Sequence, residues 1–170
     1  VIALKVDATA LAAAFTLNVN SAMLNVVDTN KTASFKAGVS TKDLLDFSAG
    51  VNTTAKTSVS GFETVSFHGG QFNAVNTTGV TLYKTDGAAL KLTNLQGVEN
   101  VELGSNNALG TANVNLGGAQ TFQTNAASNT STLNLTAKAP AGALQEINTH
   151  GFTTLNLKLD TLATQPAGQH

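Results

Sequence analysis

Apolar and polar residues alternate with period two along most of the chain. FTLNVN, MLNVV, TVSFH, NVELG, ANVNL, TLNLT and TLNLKLD each set apolar residues two apart around a polar one, the signature of half-buried strands. One tripeptide recurs inside these runs: Leu17-Asn18-Val19, Leu24-Asn25-Val26, Val114-Asn115-Leu116, Leu133-Asn134-Leu135 and Leu155-Asn156-Leu157. In a strand its two aliphatics face one side and its asparagine the other. Five copies predict stacked, nearly equivalent strands. Helix signals are sparse. ATALAAAF (8–15) could form two turns, and STKDLLDF (40–47) carries an N-cap in Ser40 or Thr41 with Asp43 in the first turn. The second is expected to be one short helix, although Leu44, Leu45 and Phe47 also suit a short strand.

Related phrases recur: SVSGFETVSF (58–67), LQGVENVEL (95–103) and THGFTTLNL (149–157). Their glycines, Gly61, Gly97 and Gly151, lie 36 and 54 residues apart, both multiples of 18, and Gly79 falls at the intermediate step. These four glycines read as structural turns that open successive coils. The next steps, Asn115 and Leu133, break the glycine register. A period near 20 residues marks a solenoid, in which no coil buries its apolar face alone and stacking makes the core. The fold expected is mainly β, a right-handed parallel β-helix with at most one short helix. An antiparallel β-sandwich also fits many short strands with glycine turns.

Composition sharpens this picture. The 170 residues suffice for one domain, placed at 1–162, with a tail (163–170) expected to fray. Hydrophobic residues are 42 % and charged residues only 11 %, below the ~25 % of an ordinary soluble domain. All nine basic residues are lysines against ten acids, a net charge of −1, which disfavours nucleic acid as a partner. Without cysteine, neither disulfides nor thiolate metal sites are available. No apolar run is long enough for a membrane span. The opening VIALKVDATA lacks a basic n-region, does not read as a signal peptide, and begins as though continuing a longer chain.

Candidate chemistry is thin. Gly69-Gly70 and Gly117-Gly118 do not continue into the G-G-x-G-x-D-x-U-x calcium nonapeptide. Asp43 and Asp46, three apart, could share a calcium ion with loop carbonyls, against the plain alternative of two solvated acids. His68, His150 and His170 lack an H-x-x-x-H pairing and read as turn histidines. There is no G-x-S-x-G elbow and no phosphate loop. Glu63, Glu99 and Glu102 invite comparison with a paired-acid glycosidase. Because Glu63 and Glu99 hold the same slot two coils apart, Glu63 reads as a repeated outward residue instead. Five Asn-x-Ser/Thr sequons in so Thr- and Asn-rich a chain carry little weight, and irregular threonines argue against an ice-binding face. The residues as a whole point away from an enzyme.

GFETVSF, GVENVEL and GFTTLNL resemble the G-[FVI]-E-T-[VIL]-x-[VIL] units of bacterial S-layer proteins and related type I-secreted, repeat-in-toxin-type surface proteins. VDATALAAAFTLNVN resembles the D-A-S-A-L-x-G-x-[LF]-T-[VIL]-x-V units of the same group. The resemblance covers Val6–Asn20, Gly61–Phe67, Gly97–Leu103 and Gly151–Leu157. It implies β-coils within a longer secreted chain and assembly into a lattice on the bacterial cell surface, usually with calcium. The calcium nonapeptides of that group are missing here, so no calcium ligand carries over. The function expected is a structural component of a surface layer, self-associating with identical subunits or neighbouring segments. The alternative is an adhesin or carbohydrate-binding module that meets cell-surface polysaccharide through Asn, Gln, Tyr83 and Phe side chains. A polysaccharide-active enzyme on a β-helix is a third reading.

Overall fold

The computed structural model describes residues 4–20, 24, 33–52, 57–85, 90–95, 98–103, 120–124, 131–137 and 147–159. In chain order the strands are β1 (Lys5–Asp7), β2 (Thr16–Val19), β3 (Ala33–Lys36), β4 (Leu44–Phe47), β5 (Val51–Asn52), β6 (Thr57–Ser60), β7 (Thr64–Phe67) and β8 (Gly70–Asn73). They continue as β9 (Thr77–Thr78), β10 (Leu82–Thr85), β11 (Leu90–Leu95), β12 (Val98–Leu103), β13 (Gln120–Thr124), β14 (Thr132–Ala137), β15 (Ile147–His150) and β16 (Thr154–Leu159).

These strands form three sheets, ordered β1-β3-β6-β9 (sheet I), β2-β4-β7-β10-β12-β14-β16 (sheet II) and β5-β8-β11-β13-β15 (sheet III). Every pairing in them is parallel. A chain that visits each wall in turn and returns one strand higher is a β-solenoid, so the antiparallel sandwich is set aside. β6, β7 and β8 make one three-sided coil. Among the described residues β9 is the last strand of sheet I, and the later described strands alternate between sheets II and III.

No helix occurs among the described residues beyond the single-residue Leu24 assignment. STKDLLDF becomes β4, because Leu45 and Phe47 pair in register with Val65 and Phe67 and are buried with them. Tertiary burial of a period-two pair outweighs a weak helix signal. Of ATALAAAF, only Thr9 and Ala10 are in a turn, and no residue is helical.

The 18-residue repeat is real for two steps: Val65 pairs with Tyr83, and Tyr83 with Val101. The third interval corrects the sequence arithmetic. Between Val98 and Thr154 the chain makes two coils, through Thr132, not three. Those coils are longer, so the 54-residue spacing of Gly97 and Gly151 is a multiple of 18 by coincidence.

The core is a column of aromatic rings where the three walls meet. Phe35 of sheet I, Phe47 and Phe67 of sheet II and Phe72 of sheet III are all buried. Phe47 and Phe67, in register on adjacent strands, stack at 5.7 Å with planes 18° apart. Phe72 lies 5.1 Å from Phe67 and 5.7 Å from Phe47, and Tyr83 continues the stack 6.3 Å from Phe67. Further along, aliphatics replace rings: Val101, Leu103, Leu133 and Leu135 are buried.

Gly61 shows why a glycine opens the repeated phrase. Its φ is +76°, and a Cβ there would meet the Ala37 carbonyl oxygen at 2.9 Å. A side chain would suffer both the left-handed backbone and the neighbouring coil. Gly79 and Gly151 share the positive φ, as expected of equivalent turns, while Gly97 lies outside the described residues.

Candidate functional site: the outer face and ends of the seven-stranded sheet

Sheet II is the sheet that runs the whole length of the described solenoid, and its outward residues form columns. One column reads Thr16, Leu44, Thr64, Leu82, then Asn100, Asn134 and Asn156. The next reads Asn18, Asp46, Ser66, Lys84, Glu102, Thr136 and Lys158.

In the first column the three asparagines form an amide ladder. Asn156 Nδ2 donates to Asn134 Oδ1 at 2.8 Å, Asn134 Nδ2 donates to Asn100 Oδ1 at 3.0 Å, and Asn100 Nδ2 donates to the Thr81 carbonyl at 2.9 Å. An amide carries both donor and acceptor, so an in-register stack can hand the bond from coil to coil. Sheet III carries a similar pair, Asn94 Nδ2 to Asn73 Oδ1 at 2.8 Å. Of the tripeptides noted above, Leu17-Asn18-Val19, Leu133-Asn134-Leu135 and Leu155-Asn156-Leu157 are described, with Asn18 and Asn156 exposed and Asn134 half-buried. The copies at 24–26 and 114–116 are not described in full.

In the second column charge nearly cancels. Lys84 Nζ lies 4.0 Å from Glu102 Oε2. Ser66 Oγ donates to Asp46 Oδ1 at 2.7 Å, and His68 Nε2 stands 3.4 Å from the same oxygen. This trio is not a hydrolytic relay: the serine hydroxyl is turned to the carboxylate, not to the imidazole. His150 is exposed on sheet III, and His170 lies outside the described residues.

Asp43 and Asp46 are held apart. A helix would have set residues three apart on one face, whereas a strand sends them to opposite sides. Asp46 faces outward toward Ser66 and His68, while Asp43 is fully buried at the corner before β4. There Asp43 Oδ1 accepts the Phe15 N–H at 3.2 Å, and the Asp43 N–H donates to Glu63 Oε2 at 2.9 Å. Asp43 Oδ2 is buried without a hydrogen-bond partner. No group of three or more His, Asp or Glu side chains converges among the described residues. Asp43 and Asp46 therefore do not fit a shared calcium ion, which takes about six to eight oxygens.

The corner also revises Glu63. Its side chain is half-buried and caps the backbone of the preceding coil, rather than projecting as a surface feature. Its carbonyl accepts the N–H groups of Thr81 and Leu82 at 2.9 and 3.0 Å. The same corner recurs at Ser131, which is buried, donates from Oγ to the Gly151 carbonyl at 3.1 Å and accepts from Thr153 Oγ1 at its own carbonyl at 2.7 Å. These polar corner residues satisfy turn N–H and C=O groups that no ladder reaches.

Glu99, two 18-residue steps beyond Glu63, is buried and lines a cavity of about 260 Å³ with Tyr83, Thr77 and Gly79. Burial, and then the charge of Glu99, hold the Tyr83 phenol well above its ordinary range. Tyr83 and five phenylalanines (35, 47, 62, 67 and 72) are in the core, and Phe15 and Phe152 are half-buried. These side chains offer no exposed stacking platform for a sugar.

At the last described strand the pattern changes. Leu133 and Leu135 of β14 are buried, but their in-register neighbours Leu155 and Leu157 of β16 are 47 % and 52 % exposed. The alternation that marks them as inward residues was legible, but their exposure was not. It depends on which strand is outermost. No family model, curated protein or solved structure matches this chain.

Proposed function

We propose that this chain is a structural segment of a bacterial surface layer, secreted and self-assembling into a protein lattice outside the cell. The observation that carries the proposal is the outer face of sheet II. It is a wall of seven parallel strands whose outward charges, Asp46 and Glu102 against Lys84 and Lys158, balance, and whose remaining groups are mainly amides and hydroxyls. Like chains can pack such faces together with little electrostatic repulsion. The resemblance of GFETVSF, GVENVEL and GFTTLNL to S-layer strand units supports the same reading. The role is mechanical. Aromatic and aliphatic columns hold the coils together, amide ladders hold their register, and outer faces and ends meet neighbouring subunits.

The test is electron microscopy of the purified protein at high concentration, once with calcium and once with chelator. Ordered two-dimensional arrays support the reading. Loss of the arrays in chelator would assign calcium to the assembly. A protein that remains monomeric in calcium and binds a glycan refutes the reading in favour of an adhesin.

A further inference from the structure

We infer that the cavity between β9 and the inward face of β12 is a binding site for a short aliphatic amine, held as its ammonium form against Glu99. The site stands apart from the self-assembly reading and does not depend on it.

The cavity arises where one coil is shorter than the coil before it. Asn73 pairs with Thr93 and Tyr83 pairs with Val101, yet the chain takes ten residues from Asn73 to Tyr83 and only eight from Thr93 to Val101. The shorter coil turns at Asn94, whose φ is +56°. A space of about 260 Å³ is left beside Thr77 and Thr78 of β9. Thr78 and Gly79 line it and are exposed, so it opens to solvent on that side.

β12 delivers a carboxylate into this space. Glu99 stands two residues before the buried Val101, on the same inward face, and pairs in register with the core residue Leu133 of the next coil. A leucine at that position would bury apolar surface without desolvating a charge, so packing alone does not account for the acid. Tyr83 and Thr77 share the lining, and Thr77 Oγ1 is buried without a hydrogen-bond partner. The lining carries one acid and neither lysine nor histidine, which selects a cation. Calcium needs about six to eight oxygens, more than a single carboxylate and a few hydroxyls provide. The volume admits roughly eight water-sized groups at about 30 Å³ each, enough for a short carbon stem with its ammonium and some water. Ala74 and Val80 supply apolar wall for the stem. The carboxylate and the hydroxyls can accept the ammonium protons.

The cavity holds its own reporter, because Tyr83 is the only tyrosine in a chain without tryptophan. The full chain is titrated with n-butylammonium chloride at constant ionic strength, followed by Tyr83 fluorescence and by calorimetry. n-Butanol, sodium butyrate and calcium chloride are run alongside. n-Butylammonium is expected to saturate with a Kd on the order of millimolar, about tenfold or more below that of n-butanol, with no binding of butyrate. Glu99→Gln, which keeps the shape and removes the charge, is expected to weaken n-butylammonium about tenfold or more while circular dichroism is unchanged. Val80→Phe, which narrows the cavity and keeps the acid, should weaken it by a similar factor, and this variant decides the matter if Glu99→Gln does not fold. Equal affinity for n-butanol and n-butylammonium, or undiminished binding in folded Glu99→Gln or Val80→Phe, would overturn the inference. So would a Tyr83 response to calcium without one to the amine, or no saturable binding up to roughly 50 mM amine. None of these outcomes bears on whether the protein forms arrays, which microscopy decides separately.

Discussion

Replacing Asn134 by alanine removes two amide bonds at once, since Asn134 donates to Asn100 and accepts from Asn156. A typical hydrogen bond contributes about 0.5–1.5 kcal/mol net. Both bonds are exposed, so water competes for them and the lower half of that range applies. The groups left behind, Asn100 Oδ1 and Asn156 Nδ2, can rehydrate and add no buried-polar penalty. The expected loss is about 1–2 kcal/mol, or roughly 2–8 °C in Tm for a chain of this size. Urea and thermal unfolding would be followed by far-ultraviolet circular dichroism and by fluorescence of Tyr83, the only tyrosine in a chain without tryptophan. Coincident transitions establish that a single free energy applies. A double-mutant cycle with Asn156→Ala isolates one bond and should return about 0.5–1 kcal/mol. Asn134→Asp adds a signed check. The carboxylate keeps the acceptor for Asn156 but turns an oxygen toward Asn100 Oδ1. Its protonated form can still donate, so the folded state raises its pKa and the variant gains stability as pH falls through the carboxylate range. An Asn134→Ala loss below about 0.3 kcal/mol with no coupling to Asn156 would refute the view that the ladder holds adjacent coils.

Gly61→Ala is expected to cost about 1–3 kcal/mol, from the positive φ and the approach to the Ala37 carbonyl, and to appear as a lower urea midpoint at unchanged m. Phe67→Ala opens the centre of the ring column and should cost about 3–5 kcal/mol, whereas half-buried Phe152→Ala should cost clearly less; equal losses would contradict the assignment of the core. Tyr83 has a folded pKa raised above the ordinary 10.0, so its contribution is fully present below pH 10.0 and is lost as pH rises beyond it. Above that point the unfolded chain ionises first, and stability should fall by up to about 1.4 kcal/mol per pH unit. Tyr83→Phe should remove that part of the slope, and phenolate absorbance in the wild-type protein should appear only with unfolding.

Much of the local structure was legible in the sequence. The Leu-Asn-Leu and Leu-Asn-Val alternation determined strands with aliphatics inward and asparagines outward, because successive side chains of a strand point to opposite faces whatever surrounds it. Gly61, Gly79 and Gly151 marked turns because only glycine adopts their positive φ without strain. Two true 18-residue steps then made stacking legible as well.

What tertiary structure alone decided was the pairing of coils distant in sequence. Local alternation cannot count the residues that intervening segments insert, so Gly97 to Gly151 spans two coils where the arithmetic suggested three. Nor could it show that Asn100, from a Val-Glu-Asn-Val run, joins Asn134 and Asn156 in one ladder while Asn18 stands in the neighbouring column. Asp43 and Asp46 were separated when the buried partners of Leu45 and Phe47 made that segment a strand. The half-exposure of Leu155 and Leu157 is a property of the end of the stack. A strand's sequence encodes which face it would bury, and only the neighbour above it determines whether that face is covered.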